Sequence, residues 1–157
     1  MAQVAVTIDA IRHGTLRDVW ALILKEKVAE EYPAIERYLP IWISPPQADI
    51  IIGELLQRPD KSRAPDIFLA SINATESEIE CVTIHIEGET YYARVQLCHR
   101  DEVRKVKCPI AVAVNFASRT GASILVDEAT WDKAALTINR DWTLSVGDLV
   151  PATGKTE

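Results

Sequence analysis

The stretch Arg37-Tyr38-Leu39-Pro40-Ile41-Trp42-Ile43-Ser44-Pro45-Pro46-Gln47-Ala48-Asp49 places a strand and a helix start side by side. Ile41, Trp42 and Ile43 are β-branched or aromatic and suit a pleated, half-buried surface. Ser44 is an N-cap residue. Pro45 falls at the first helical position, where its missing N–H costs nothing, and Gln47 stands three residues after Ser44, as in a capping box. The helix is therefore expected to start at Pro45 and run to about Gln57. Its residues Ala48, Ile51, Ile52, Leu55 and Leu56 recur at helical spacing and form one apolar face.

Working outward, Val4, Val6 and Ile8 alternate with Ala5, Thr7 and Asp9, the pattern of a half-buried strand. His13-Gly14-Thr15 marks a turn before a second strand, Val19 to Leu24. The polar segment Lys25 to Arg37 then reads as a connection. After the first helix, Asp66 to Ala74 carries a weaker helical pattern through Ile67, Phe68, Leu69 and Ile72.

A hairpin follows whose register is legible. Gly88-Glu89 suits a two-residue turn with Gly first, which pairs Ile86 with Tyr91, Ile84 with Ala93 and Val82 with Val95 on the buried face. The opposite face pairs His85 with Tyr92 and Thr83 with Arg94, and a strand through Val103 and Val106 extends the sheet. Pro109 to Thr120 is apolar nearly all round, a buried helix, with Gly121 placed to end it. Ser123 to Val126 reads as a strand, and Asp127 caps a short helix through Trp131. Residues 1–134 are expected to form one domain and 135–157 a C-terminal extension, with a possible strand at Trp142 to Val146 and a disordered end from Pro151.

The chain has 157 residues, 48% hydrophobic and 25% charged, which fits one globular domain, alone or with an appendage, better than two full domains. No apolar run reaches the roughly 20 residues that cross a bilayer. The N-terminus meets Asp9 too early for a signal peptide and lacks a basic region, so a cytoplasmic location is expected. Cys81, Cys98 and Cys108 show no CxxC spacing and read as reduced thiols on strands. A net charge of −6 opposes a broad basic surface, so contact with nucleic acid must be local, metal-assisted or weak.

The opening stretch resembles the signature of the bifunctional nuclease domain family, Tyr-Leu-Pro-Ile-Trp-Ile-Gly followed two residues later by Glu-Ala. The order of elements and the exit Arg119-Thr120-Gly121-Ala122-Ser123-Ile124 resemble the family too. The resemblance implies a mixed α+β fold with helices packed on a largely antiparallel sheet. It also implies weak nuclease activity on RNA and DNA, assisted by Mg²⁺ or Mn²⁺. The chain departs from the pattern at three places. Gln47 stands where the family has Glu; Arg63-Ala64-Pro65-Asp66 keeps the Arg and the Asp of a family motif but lacks its His; and Ala111 or Val112 stands where the family has Asp. Phosphodiester hydrolysis through metal ions leans on carboxylates, so these losses predict reduced or absent catalysis.

Asp49 and Asp66 are the remaining carboxylates near the signature and are the catalytic candidates, able between them to hold one ion through water. The ordinary alternative is that they serve helix N-termini. Arg63 and Arg119 are candidate phosphate contacts near the first turn of the helix at Pro45, where Ser44 and Gln47 already satisfy two amides. His85, Tyr92 and Arg94 share one hairpin face near Arg100, Arg104, Lys105 and Lys107, a candidate nucleic-acid surface with an aromatic for stacking, diluted by Asp101 and Glu102. The alternative to a nuclease is a non-catalytic module of the same fold that binds a partner or forms homo-oligomers. The apolar opening Ile110-Ala111-Val112 suits packing or an oligomer contact.

Overall fold

The structure, a computed structural model, describes residues 2–14, 18–29, 35–55 and 64–139. Eight strands form one sheet: β1 (Gln3–His13), β2 (Trp20–Glu26), β3 (Ile35–Ile43), β4 (Glu78–Glu87), β5 (Thr90–His99), β6 (Glu102–Cys108), β7 (Ser123–Asp127) and β8 (Leu136–Asn139). Helices α1 (Pro45–Leu55), α2 (Ala64–Ala74), α3 (Ile110–Thr120) and α4 (Glu128–Ala134) punctuate it. The strand order is β6-β5-β4-β7-β1-β2-β3-β8. Every pairing is antiparallel except β4 with β7, which places Val82 beside Ile124 and Ile84 beside Val126 in parallel register. The fold is a single α+β domain.

The alternation in β1 breaks at Asp9, where the pairing with β2 shifts between Ile8 and Ala10. This bulge moves the inward position from even to odd residues. Val4, Val6, Ile8 and then Ile11 therefore all join the core, and β1 continues to His13. β1 ends at His13, whose ring stacks against Trp20 at 4.4 Å and meets Asp18 at 3.1 Å, and Gly14 N donates to the Val19 carbonyl; Thr15 of the predicted turn lies outside the described residues. In β4 and β5 the register agrees with the sequence at every predicted pair, from Val82–Val95 to Ile86–Tyr91 and from Thr83–Arg94 to His85–Tyr92. Gly88 has φ +64°, as a turn with Gly first requires.

One face of the sheet is covered by helices. Leu22, Leu24, Leu39, Ile41, Val82, Ile84 and Val126 point there, all of them buried, and meet Ala48 and Ile51 of α1 and Ile110, Ala113 and Val114 of α3. In α1, Gln47 N donates to Ser44 Oγ at 3.4 Å, so the cap forms where the sequence places it. Leu56 and Gln57 lie outside the described residues. Helix α3 ends at Gly121, whose φ of +74° and N–H donated to the Ala117 carbonyl close the last turn. The apolar opening of α3 is used inside the chain: Ile110 and Ala111 are buried. Of the two expected uses of this opening, packing is the one seen, with Val112 half-buried against the core.

Helix α2 differs from its sequence pattern. Leu69 and Ile72 pack against the core, while Ile67 and Phe68 stay more than half exposed. Asp127 caps α4 through Thr130 N at 3.3 Å, and Trp131 of α4 is buried beneath Arg37. Strand β8, which the sequence pattern left unassigned, pairs Leu136 with Tyr38 and Asn139 with Ile35, so the sheet continues past residue 134. The possible strand at Trp142 to Val146 and the end from Pro151 lie outside the described residues. No helix among the described residues is long and apolar enough to cross a membrane.

Candidate functional site

Among the described residues the opposite face of the sheet carries no helix, and the residues singled out from the hairpin lie on it. His85 of β4 and Tyr92 of β5 are directly opposite, with ring centroids 5.3 Å apart and planes 20° from parallel. Lys107 Nζ from β6 sits 4.4 Å from the centre of the Tyr92 ring, and Arg94 Cζ lies 5.7 Å from it. The cations are drawn to the negative ring face. β6 places Lys107 opposite Arg94 and Lys105 opposite Gln96. Lys107 also reaches Glu87 at 3.7 Å, a largely exposed pair. Burial, together with Arg94 and Lys105, holds the His85 pKa below its ordinary value, against a smaller upward pull from Asp127. His85 is therefore a neutral ring near pH 7. On the same face at the far side of the sheet, Lys25 Nζ stands 5.7 Å from the Tyr38 ring.

The other candidates assemble differently. Arg119, in the last turn of α3, pairs with Asp66 of α2 and approaches Glu54 of α1, its Nε 3.9 Å from Glu54 Oε2. The structure therefore joins Asp66 and Arg119 to each other. Glu54 has no sequence signal beyond its charge, because its partner lies sixty-five residues away. Asp49 lies on the exposed side of α1, and Arg63 lies outside the described residues. Among the described residues no three His, Cys, Asp or Glu side chains gather as a metal ion would require. Asp66, one of the two carboxylates expected to share a divalent ion, is thus held by Arg119.

The three thiols lie on β4, β5 and β6 and are free. Burial raises the Cys108 pKa to about 11, and burial likewise raises that of Cys81. Both are thiols at neutral pH and poor nucleophiles.

A cleft of about 410 Å³ opens where the signature strand meets α1. It is lined by Ile41, Trp42 and Ile43, by Gln47, by Glu89 to Tyr91 and by the start of α3 at Pro109 and Ile110. β3 and β5 are five places apart in the sheet, and the packing of α1, which follows β3, on α3, which contacts β5, joins them on the helix side. The cleft's lining comes from three distant segments, so no local pattern announces it. Gln47 stands on the cleft wall, and at the α3 opening Ile110 lines the wall while Ala111 is buried.

The sequence model of the bifunctional nuclease domain matches residues 23–139. The chain belongs to the bifunctional nuclease domain family. The match runs from β2 through β8 and so includes the cleft, the Arg119 cluster and the cationic hairpin face. No curated protein matches the chain.

Proposed function

We propose that this bifunctional nuclease domain binds single-stranded RNA or DNA on the open face of β4, β5 and β6, and that binding, more than hydrolysis, is its activity. The observation that carries this reading is the Tyr92 ring with Lys107 and Arg94 close to it and His85 stacked beside it. A sheet face presenting an aromatic among cations suits unpaired bases, which stack, and phosphates, which pair with the cations. A duplex offers no free base face to the ring. Family membership supports a nucleic-acid ligand. Weak hydrolysis is supported by Gln47, and by Ala111 or Val112, in place of the acids that the resemblance leads one to expect, and by Asp66 being held by Arg119.

The test is fluorescence anisotropy of labelled 12-nucleotide RNA and DNA, single- and double-stranded, in EDTA, Mg²⁺ or Mn²⁺, with the oligonucleotide's length checked afterwards. Single strands are expected to bind in EDTA and remain intact. Affinity should fall with salt at a slope of about −2, for roughly three phosphate contacts. Tyr92→Ala is expected to weaken binding by about tenfold, the scale of one lost stacking contact. Absence of single-strand binding overturns the proposal. Cleavage that needs Mg²⁺ or Mn²⁺ and disappears in Asp49→Ala or Asp66→Ala would establish the metal-assisted nuclease instead.

A further inference from the structure

Resting on that reading, we infer that the cleft between the signature strand, the β4–β5 turn and the start of α3 is a base subsite that selects guanine. Its volume of about 410 Å³ lies at the small end of the range for ligand sites and has room for one purine nucleoside. Its walls suit a flat ring: Ile41, Ile43 and Ile110 are apolar, and Tyr91 is aromatic. The polar groups on it are few and of distinct kinds. Glu89 is its carboxylate, an acceptor only; Gln47 offers a carboxamide, with both donors and an acceptor; Thr90 offers a hydroxyl.

These groups discriminate among bases. A carboxylate prefers two adjacent N–H donors and repels any acceptor beside them. Guanine alone presents adjacent donors, N1–H and N2–H₂, on its Watson–Crick edge, with O6 next to them for an amide donor. Adenine and cytosine each set an acceptor ring nitrogen beside their amino group, and uracil flanks its one N–H with two carbonyls. The carboxylate also opposes phosphate, so the nucleotide's phosphate must stay outside, toward the cationic hairpin face. Tyr91 and Tyr92 are consecutive on β5 and point to opposite faces, so a strand held at Tyr92 is one strand edge away from the cleft.

The family's acid at position 47 would oppose this use, because a second carboxylate would confront O6. Gln47 removes that repulsion. The same substitution that weakens the case for hydrolysis therefore equips the cleft for a base.

Two arms test the inference. In the first, GMP, AMP, CMP and UMP are titrated into the full chain by calorimetry; in the second, uridine 12-mers carrying one central G, A, C or U are followed by anisotropy. GMP and the G-containing strand should bind about tenfold more tightly than the others, as one bidentate base contact allows. Glu89→Gln should erase the difference between bases. Gln47→Glu, which restores the family's residue, should erase it too, whereas a merely structural cap would leave the preference in place. Equal affinity for all four nucleotides, no nucleotide binding by a chain that does bind the strands, or a preference that survives Glu89→Gln would overturn the subsite. A GMP preference without strand binding would overturn the open-face reading and leave the cleft standing. Failure of both arms overturns both.

Discussion

The two faces of this sheet are built from the same strands and differ by one residue in phase. On the helix side, Val82, Ile84, Ala93 and Val95 are buried against α3 and its neighbours. On the open side, the residues between them are Thr83, His85, Tyr92 and Arg94. Because successive side chains point to opposite faces, one hairpin supplies the core with one set of residues and a ligand surface with the other. The far half of the open face is closer to a second small core, where Ala21 and Ile23 lie buried beneath Tyr38 and Trp42. Solvated chemistry is thus concentrated on β4 to β6.

The sharpest way to break this contrast is a pair of truncations measured by urea unfolding. Leu22→Ala, at a fully buried position on the helix side, is expected to cost about 2–5 kcal/mol. Arg94→Ala, exposed on the other side, should stay within about 0.5 kcal/mol while lowering affinity for single strands. Comparable losses of stability would show that the open face also holds the fold together.

Smaller effects should come from the turns that fix which residue faces which way. Gly88 has open space around its Cα but φ +64°, so Gly88→Ala is expected to cost about 1–2 kcal/mol through backbone conformation alone. Glu76, at φ 57° after α2, is a non-glycine residue in the same region, and Glu76→Gly should stabilise by about 0.5–1 kcal/mol. Both are read from shifts in thermal midpoint.

The smallest expected effect is a pH dependence confined to the open face. His85 titrates below the ordinary 6.5 in the folded chain, so on acidification the unfolded chain takes the proton first. Its contribution to stability is complete above about pH 6.5 and is lost as pH falls toward the folded value. The stability difference between the wild type and His85→Gln should accordingly shrink between pH 7 and pH 5. A difference that is flat with pH would place His85 outside the desolvated cluster.

Much of this was legible in the chain because the signals are local. The hairpin register follows from a two-residue turn with Gly88 first, and α1 and α3 are punctuated by Ser44, Pro45 and Gly121. The remainder depends on partners far away in sequence. The bulge at Asp9 interrupts the alternation that announces a strand, and β8 is a short segment whose identity comes from pairing with β3. Ile67 and Phe68 look like core residues by type, but the face of α2 that packs is set by α3, and they fall on the other side. The Arg119 link to Asp66 and Glu54 joins three helices, and the cleft joins three chain segments, so neither has a motif.

The parallel pairing of β4 with β7 also governs the order in which the sheet can be made. β1 to β3 and β4 to β6 are each joined through neighbours in sequence, but no strand of one set pairs with a strand of the other. β7 alone borders both, and it is reached only after α3. A nascent chain that stops short of residue 123 thus holds two separate meanders with unpaired inner edges, and the sheet closes when five residues slide between them. Such late, long-range closure slows folding and leaves strand edges open to wrong partners in the meantime.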